Sequence, residues 1–595
     1  MFVGCVALAT SCDLTENVQV KADKSMIFGS KSGLELYSNS FYKALPTLKN
    51  GFMQDKMCDV GAVSNTDTFI KQGAYNTETA TSWSWGALKN INYFIDGCND
   101  PKYCTVDDNT RDNYLGIARW FRAWFYYDKL TTYGEVPWFP HDIQSYQNDV
   151  MYKDRDSRDV IIRNLIADLD FAYEHIQATS STGSSTLTRW AAAALKSRVC
   201  LFEAAYRRYH NLTELEITPE ELYREAAKAA KLVIDNSGCS LNTATGKKGA
   251  YRDLFYNETP LTQEVILAVC ANEKSGIFGE QNWWFNARSY GLCWSLVRSF
   301  VHTYLKLDGT PFTDAADYAV KSFTEEMEGR DLRLEQTVRG RNFLWDGKTA
   351  VADIKNLSLT GYQVIKYTLD ESKYDGGAKN INSIPLIRYA EVLLNYAEAQ
   401  AELGVITDSE WALTVGALRK RAGITGGTET LPTTVDGYLQ RTFYPDVTSP
   451  VLLEIRRERA IELVAEGMRF DDLRRWKCGS LMETLPWSGI HIPGLEQPVD
   501  VNGDGVDDYY FTEGEVTAAP AAYRNIAIRV NQDGVGLYAE ANAVAGYDLV
   551  YKTGAGDRYW YPDGRQYLYP IPAKVIRDYR NAGYTISQNP EWDNE

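Results

Sequence analysis

The segment Asp500-Val501-Asn502-Gly503-Asp504-Gly505-Val506-Asp507-Asp508 carries the sharpest chemical pattern in the chain. Side-chain oxygens stand at its first, third and fifth positions, a glycine at the sixth and a carboxylate at the ninth. Calcium takes about six to eight hard oxygen donors, and the glycine permits the sharp turn that converges them. The expected ligand set is Asp500, Asn502, Asp504, the carbonyl of Val506, and Asp508, with structural Ca2+ as the only cofactor. The twelfth position is Phe511 instead of Glu, which excludes a complete EF-hand; Glu513 stands near enough in sequence to complete the shell. Such an ion would order the loop without doing chemistry. A solvated acidic turn is the plainer alternative.

A second pattern is aromatic. Sugars offer apolar C–H faces on which flat rings stack, and hydroxyls that Asn, Asp and Arg side chains bind. Three groups in weakly periodic stretches have this makeup: Trp283, Trp284, Asn286, Arg288 and Tyr290; Trp345 beside Asp346; and Tyr75, Asn76 and Trp83. These are the candidate ligand-binding residues. Each ring also suits a core, the commoner fate of an aromatic side chain, and Trp85, just ahead of a periodic helix, is assigned there. Enzyme signatures are missing: there is no HExxH, no Gly-x-Ser-x-Gly elbow and no phosphate-binding Gly-Lys-Ser/Thr loop. The five histidines are scattered singly, which argues against a His-based metal site or triad. No catalytic residue is expected. A glycosidase leaves no fixed carboxylate spacing in sequence, so a surface glycosidase stays as an alternative.

Helices must position these residues. Apolar side chains recur at three- and four-residue spacing over 113–129, 156–175, 190–206, 220–234, 386–403, 411–421 and 452–466, the signature of helices with one buried face. Ala at close contacts and helices in successive pairs point to tetratricopeptide-like packing, although the strict repeat consensus is absent. On the 452–466 helix, Arg459, Glu462 and Glu466 are helical neighbours, read as structural ion pairs before paired carboxylates for acid–base work. Residues 51–81, 272–294, 312–360 and 485–564 lack sustained periodicity. The fold expected is mostly α, a helical-pair scaffold over roughly 30–240 and 385–480, with a large irregular lobe built from its insertions and carrying the ligand. Residues 13–595 form one domain in this reading.

The balance of 79 acidic against 62 basic residues gives a net charge of −17, which argues against nucleic-acid binding. Beyond the N-terminus no apolar run reaches the roughly 20 residues needed to span a bilayer. Met1 to Thr10 is short and apolar, and Leu8-Ala9-Thr10-Ser11-Cys12 resembles a lipobox. Residues 1–12 are therefore read as a lipoprotein signal segment ending at lipidated Cys12, anchoring the protein without spanning the membrane. Two departures stand out: no Lys or Arg precedes Cys12, and Leu8 lies one place further from it than is usual. None of the ten cysteines forms a CxxC pair. Cys98 and Cys104 are close enough in sequence for a disulfide; burial as small hydrophobes is the alternative.

Several segments occur in an order that resembles the SusD/RagB family. They are Trp85-Gly86-Ala87-Leu88, Arg119-Trp120-Phe121-Arg122-Ala123, Tyr133-Gly134-Glu135-Val136-Pro137, the run from Ile387-Arg388-Tyr389 to Ala399, Arg456-Arg457-Glu458-Arg459 through Leu473, Tyr569-Pro570-Ile571-Pro572 and Gln588-Asn589-Pro590. Together they cover nearly the whole chain. The resemblance implies a mostly helical fold with four tetratricopeptide-like units. It implies a non-catalytic lipoprotein on the outer-membrane surface of a Gram-negative bacterium, with a SusC-like TonB-dependent transporter as partner and the outer-membrane lipid as anchor. It implies an oligosaccharide cargo, with peptides or glycopeptides as the alternative. The motifs are mainly scaffold and do not locate the ligand.

Overall fold

The computed structural model describes residues 24–49, 53–286, 293–552 and 557–593. Cys12, Arg288 and Tyr290 lie outside them. The chain is mostly helical, and several of its helices begin where a side chain takes up free first-turn amides. Helix α1 covers Gly86–Cys98. Helix α2 covers Asp108–Tyr133; the Asp107 carboxylate accepts from the Thr110 amide at 3.0 Å, and Gly134, at φ +75°, ends it. That cap and that stop make α2 longer at both ends than its apolar periodicity showed. Ser157 caps α3 (Arg158–His175) and Thr188 caps α4 (Arg189–Tyr209). Helix α5 (Pro219–Asn236) opens on a Thr218/Glu221 capping box with proline at its first position.

Each of these helices packs on the next. Helix α4 is the central one, buried along nearly its whole length, and Ala191 to Ala194, Ala204 and Ala205 let its neighbours approach closely. Strands β1 (Val265–Val269) and β2 (Ile384–Arg388) pair antiparallel, and β2 runs directly into α6 (Tyr389–Glu402), which lies against α4 and α5. The expected helix from Leu386 thus starts three residues late, because pairing with β1 holds 384–388 extended. The 411–421 helix is two pieces, α7 (Asp408–Leu413) and α8 (Val415–Arg421), broken at Thr414 with ψ −94°. Helix α9 (Pro450–Glu462) stops short of Glu466, and Ala465 and Gly467 take φ of +61° and +77°. That turn frees Glu466 to meet Arg388 and Lys366, each at 2.7 Å.

Helix α10 (Arg469–Arg475) follows. The 485–564 stretch holds more order than its sequence showed. Strands β3 (Ser488–Ile492), β4 (Pro498–Val499), β5 (Tyr509–Thr512), β6 (Ala527–Arg529), β7 (Leu537–Ala541) and β8 (Tyr547–Tyr551) make two three-stranded sheets, ordered β6-β5-β4 and β7-β8-β3. Strands this short carry too few alternations to be read as a period. Helix α11 (Ala573–Asn581) lies near the C-terminus. One buried apolar cluster includes residues from Phe28 to Trp592.

The charges of the scaffold are buried in pairs. Arg122 holds Asp168 across α2 and α3, Glu203 lies between Arg158 and Arg207, and Arg198 of α4 grips Glu391 of α6. Glu462 meets Arg333, Arg388 and Arg421, and Arg459 meets Asp472. The partners of Arg459, Glu462 and Glu466 come from other elements, not from the helical neighbours their spacing suggested. The Cys98 and Cys104 thiols are both free.

Candidate functional site

A cavity of about 1150 Å³ opens where three segments meet: residues 78–92, including the start of α1; residues 139–152; and residues 572–582, including α11. Its aromatic wall grows from the approach to α1. Trp83 and Trp85 stand 5.3 Å apart and nearly perpendicular, Trp83 backs onto Tyr133 at 4.9 Å, and Trp85 onto Phe139 at 5.2 Å. Both tryptophans are half-buried, with the rest of each ring on the cavity. Tyr152 faces them from the second segment, stacked at 5.4 Å on Tyr584 and edge-on to Tyr579. Edge-to-face contacts of this kind fix ring orientation as well as burying area.

Hydrogen bonds hold the segments in place. The Asn92 amide donates to the carbonyls of Phe139 and His141, at 2.8 and 3.1 Å, fastening the second segment to α1. Asp96 takes His141 Nδ1 and the Asp142 amide, each at 2.8 Å. The Ala573 amide donates to the Thr77 carbonyl at 2.9 Å, and Arg577 reaches Glu78 at 2.5 Å. Tyr579, the buried residue of α11, donates to the Lys153 carbonyl at 3.2 Å, and burial pushes its hydroxyl up to about 12. The carboxylates on the lining are Glu78 and Asp578, and each is ion-paired, with Arg577 and Lys574. The hydrogen bond from Arg577 holds Glu78 below the usual carboxylate range. An acid–base pair needs one carboxyl kept protonated near neutrality, and Glu78 is shifted the other way.

A family model described as the SusD family matches residues 263–592, more than half of the chain. The chain belongs to the SusD family. It is 25% identical over 378 residues to a SusD-like protein, P38, of Formosa agariphila, a match covering 61% of this chain and 66%, just under two thirds, of that protein. A SusD-like carbohydrate-binding protein of Bacteroides fragilis superposes with a TM-score of 0.67 at 19% identity, covering 94% of this chain and 99% of that one. A SusD homologue of Bacteroides thetaiotaomicron gives 0.60 at 16%, covering 96% and 100%. At these identities the structural likenesses establish the fold.

Within this SusD-family fold the sequence candidates separate. Of the first group by position, Trp83 lines the cavity. Tyr75 packs edge-on against Phe69 and Tyr569, and burial raises its hydroxyl to about 12. Asn76 accepts from the amides of Glu78 and Thr79, each at 3.0 Å, and so shapes the turn that carries Glu78. Trp283 and Trp284 lie on another surface, 6.0 Å apart, with the Trp284 indole donating to the Lys49 carbonyl and Trp283 packed on Gly377. Asn286 is buried between Gln363 and Asp375. Trp345 sits on a two-residue-strand hairpin with Arg339 over its ring at 5.2 Å. The 370–377 loop joins these last groups: Asp375 accepts from Asn282 and Asn286, and Asp346 accepts from the Ser372 amide.

Phe139, Tyr152 and the residues of α11 line the cavity and are not among the sequence candidates. Trp85 was assigned to the core, and the structure gives it both roles. The two-residue spacing of Trp83 and Trp85 was the available signal.

In the acidic loop, Asp500 accepts from the amides of Gly503 and Gly505 at 2.7 and 2.8 Å, Asn502 from Asp504, and Asp504 from Val506. Asp508 accepts from the Val501 amide; burial, and then the charges of Asp500 and Asp504, raise its pKa. Among the described residues no three His, Cys, Asp or Glu side chains converge as a metal would need; further donors would have to be Asn502 and the Val506 carbonyl. Glu513 is engaged by Asn531 at 2.7 Å.

Proposed function

We propose that this chain is a non-catalytic, cell-surface protein that captures oligosaccharide and delivers it to a SusC-type TonB-dependent outer-membrane transporter. The observation that carries the reading is the cavity walled by Trp83, Trp85, Phe139 and Tyr152, with polar side chains at its edges. Flat rings around an open cavity, those of Trp83, Trp85 and Tyr152 half-buried, suit the faces of pyranose rings. Family membership supports the capture role, and the carbohydrate-binding relative from B. fragilis supports the cargo class. Anchoring runs through acylated Cys12, at the outer-membrane surface of a Gram-negative bacterium; no described helix is long and apolar enough to cross a membrane. The acidic loop would take a structural Ca2+ through the hard oxygens of Asp500, Asn502, Asp504, the Val506 carbonyl and Asp508 by turning its carboxylates from the backbone amides they accept to converge on the ion.

The test is affinity electrophoresis and calorimetry of the protein lacking residues 1–12 against a panel of polysaccharides and peptides, with products checked on the same samples. Retention by a glycan without cleavage is expected. Cleavage overturns the non-enzyme reading, and binding to peptides alone replaces the cargo class.

A further inference from the structure

We propose that the cavity takes an anionic saccharide, one whose carboxylate or sulfate group is met by Lys89. This rests on the cavity being a glycan site. The argument is a charge balance. The chain is strongly acidic, at −17, yet the cavity lining carries Lys89, Lys574 and Arg577 against two carboxylates. Both carboxylates are engaged, Glu78 by Arg577 at 2.5 Å and Asp578 by Lys574 at 2.6 Å. Lys89 has no ion-pair partner among the described residues. It stands in the first turns of α1, whose start receives no side-chain cap from Trp85, so the helix adds partial positive charge to the same wall.

A neutral sugar covering this wall would strip water from the Lys89 ammonium and return no charge. A carboxylate or sulfate returns a charge-assisted hydrogen bond and offsets that cost. The rings of Trp83, Trp85 and Tyr152 then hold the apolar face of the sugar, and the lysines hold its oxyanion. The Lys574–Asp578 pair is exposed and within one helix, so a stronger anionic partner can draw the Lys574 ammonium away from it.

Affinity electrophoresis in gels containing matched polymers tests this: polygalacturonate beside its methyl ester, chondroitin sulfate beside its desulfated form, and neutral xylan, mannan and glucan. The expected result is retention by the charged member of at least one pair, falling as salt is raised. Which pair responds separates carboxylate from sulfate recognition. In the double variant Lys89→Gln/Lys574→Gln, both positions being exposed, retention weakens by roughly 10- to 100-fold. Equal retention of charged and neutral members, or undiminished retention by the double variant, overturns the charge inference and leaves the glycan reading standing. Retention by no polymer at all sinks the glycan reading itself.

Discussion

Trp83 and Trp283 pose the same question at the scale of single residues, since both were candidates and only Trp83 lines the large cavity. Trp83→Ala is expected to weaken glycan binding by about tenfold, the cost of one stacking platform, while Trp283→Ala leaves it within about twofold. Calorimetry on both variants checks this, and the reverse ranking moves the site to the 370–377 surface. Buried charges give a second residue-scale expectation. Glu462 is held far below the usual carboxylate range, against burial, by Arg421, Arg388 and Arg333. Glu462→Gln leaves three buried guanidiniums short of a counter-charge, so a loss of about 3–5 kcal/mol is expected, read as a lower urea midpoint. The charged residue types on this helix were legible in sequence; their partners, over a hundred positions away in the case of Arg333, were not.

Elements show where periodicity is informative and where it fails. Long helices such as α3 and α4 repeat their apolar face enough times to be recognised, and only their ends needed the caps Ser157 and Thr188. Strands β3 to β8 are two to five residues long, and nothing repeats within them. The acidic loop lies between β4 and β5, so its ion would act at the level of the element. Calcium addition is expected to raise the thermal midpoint by about 2–3 °C, from about 3–4 kcal/mol of linkage at roughly 100- to 1,000-fold excess over Kd, and Asp504→Ala to abolish the shift. Absence of heat on titrating Ca2+ into the protein would show the segment to be only an acidic turn.

Acid and alkaline limits belong to the whole molecule, because buried groups titrate against its fold. Glu326 is brought down to about 2 by His302, Arg298 and Tyr362 despite burial. Its contribution is present above the ordinary Glu range and is lost as pH falls toward 2. Asp55 behaves oppositely. Burial raises it to about 7, against the Gly467 amide and Lys366, while Glu466 and Asp472 add to the rise. Its protonated form belongs to the folded state, so this contribution is complete below the ordinary Asp range and is lost as pH rises through about 7. Asp55→Asn is therefore expected to gain stability over the parent as pH climbs from about 4 to 7 and to keep that gain above it, read from thermal midpoints; a constant difference between 4 and 7 refutes the assignment.

The sequence by itself determined the family-like order of motifs, the mostly helical class and the residue types of the scaffold, because a helix repeats its pattern locally and a cap lies within a turn of what it caps. It also exposed the acidic loop, a pattern contiguous in the chain. Only the tertiary structure decided which aromatics face a cavity. Trp83, Tyr152 and α11 are brought together from three distant stretches, and neither composition nor spacing encodes that meeting. Half-burial divides each of Trp83 and Trp85 between core and surface, a distinction set by what packs behind the ring and not by the residue type itself.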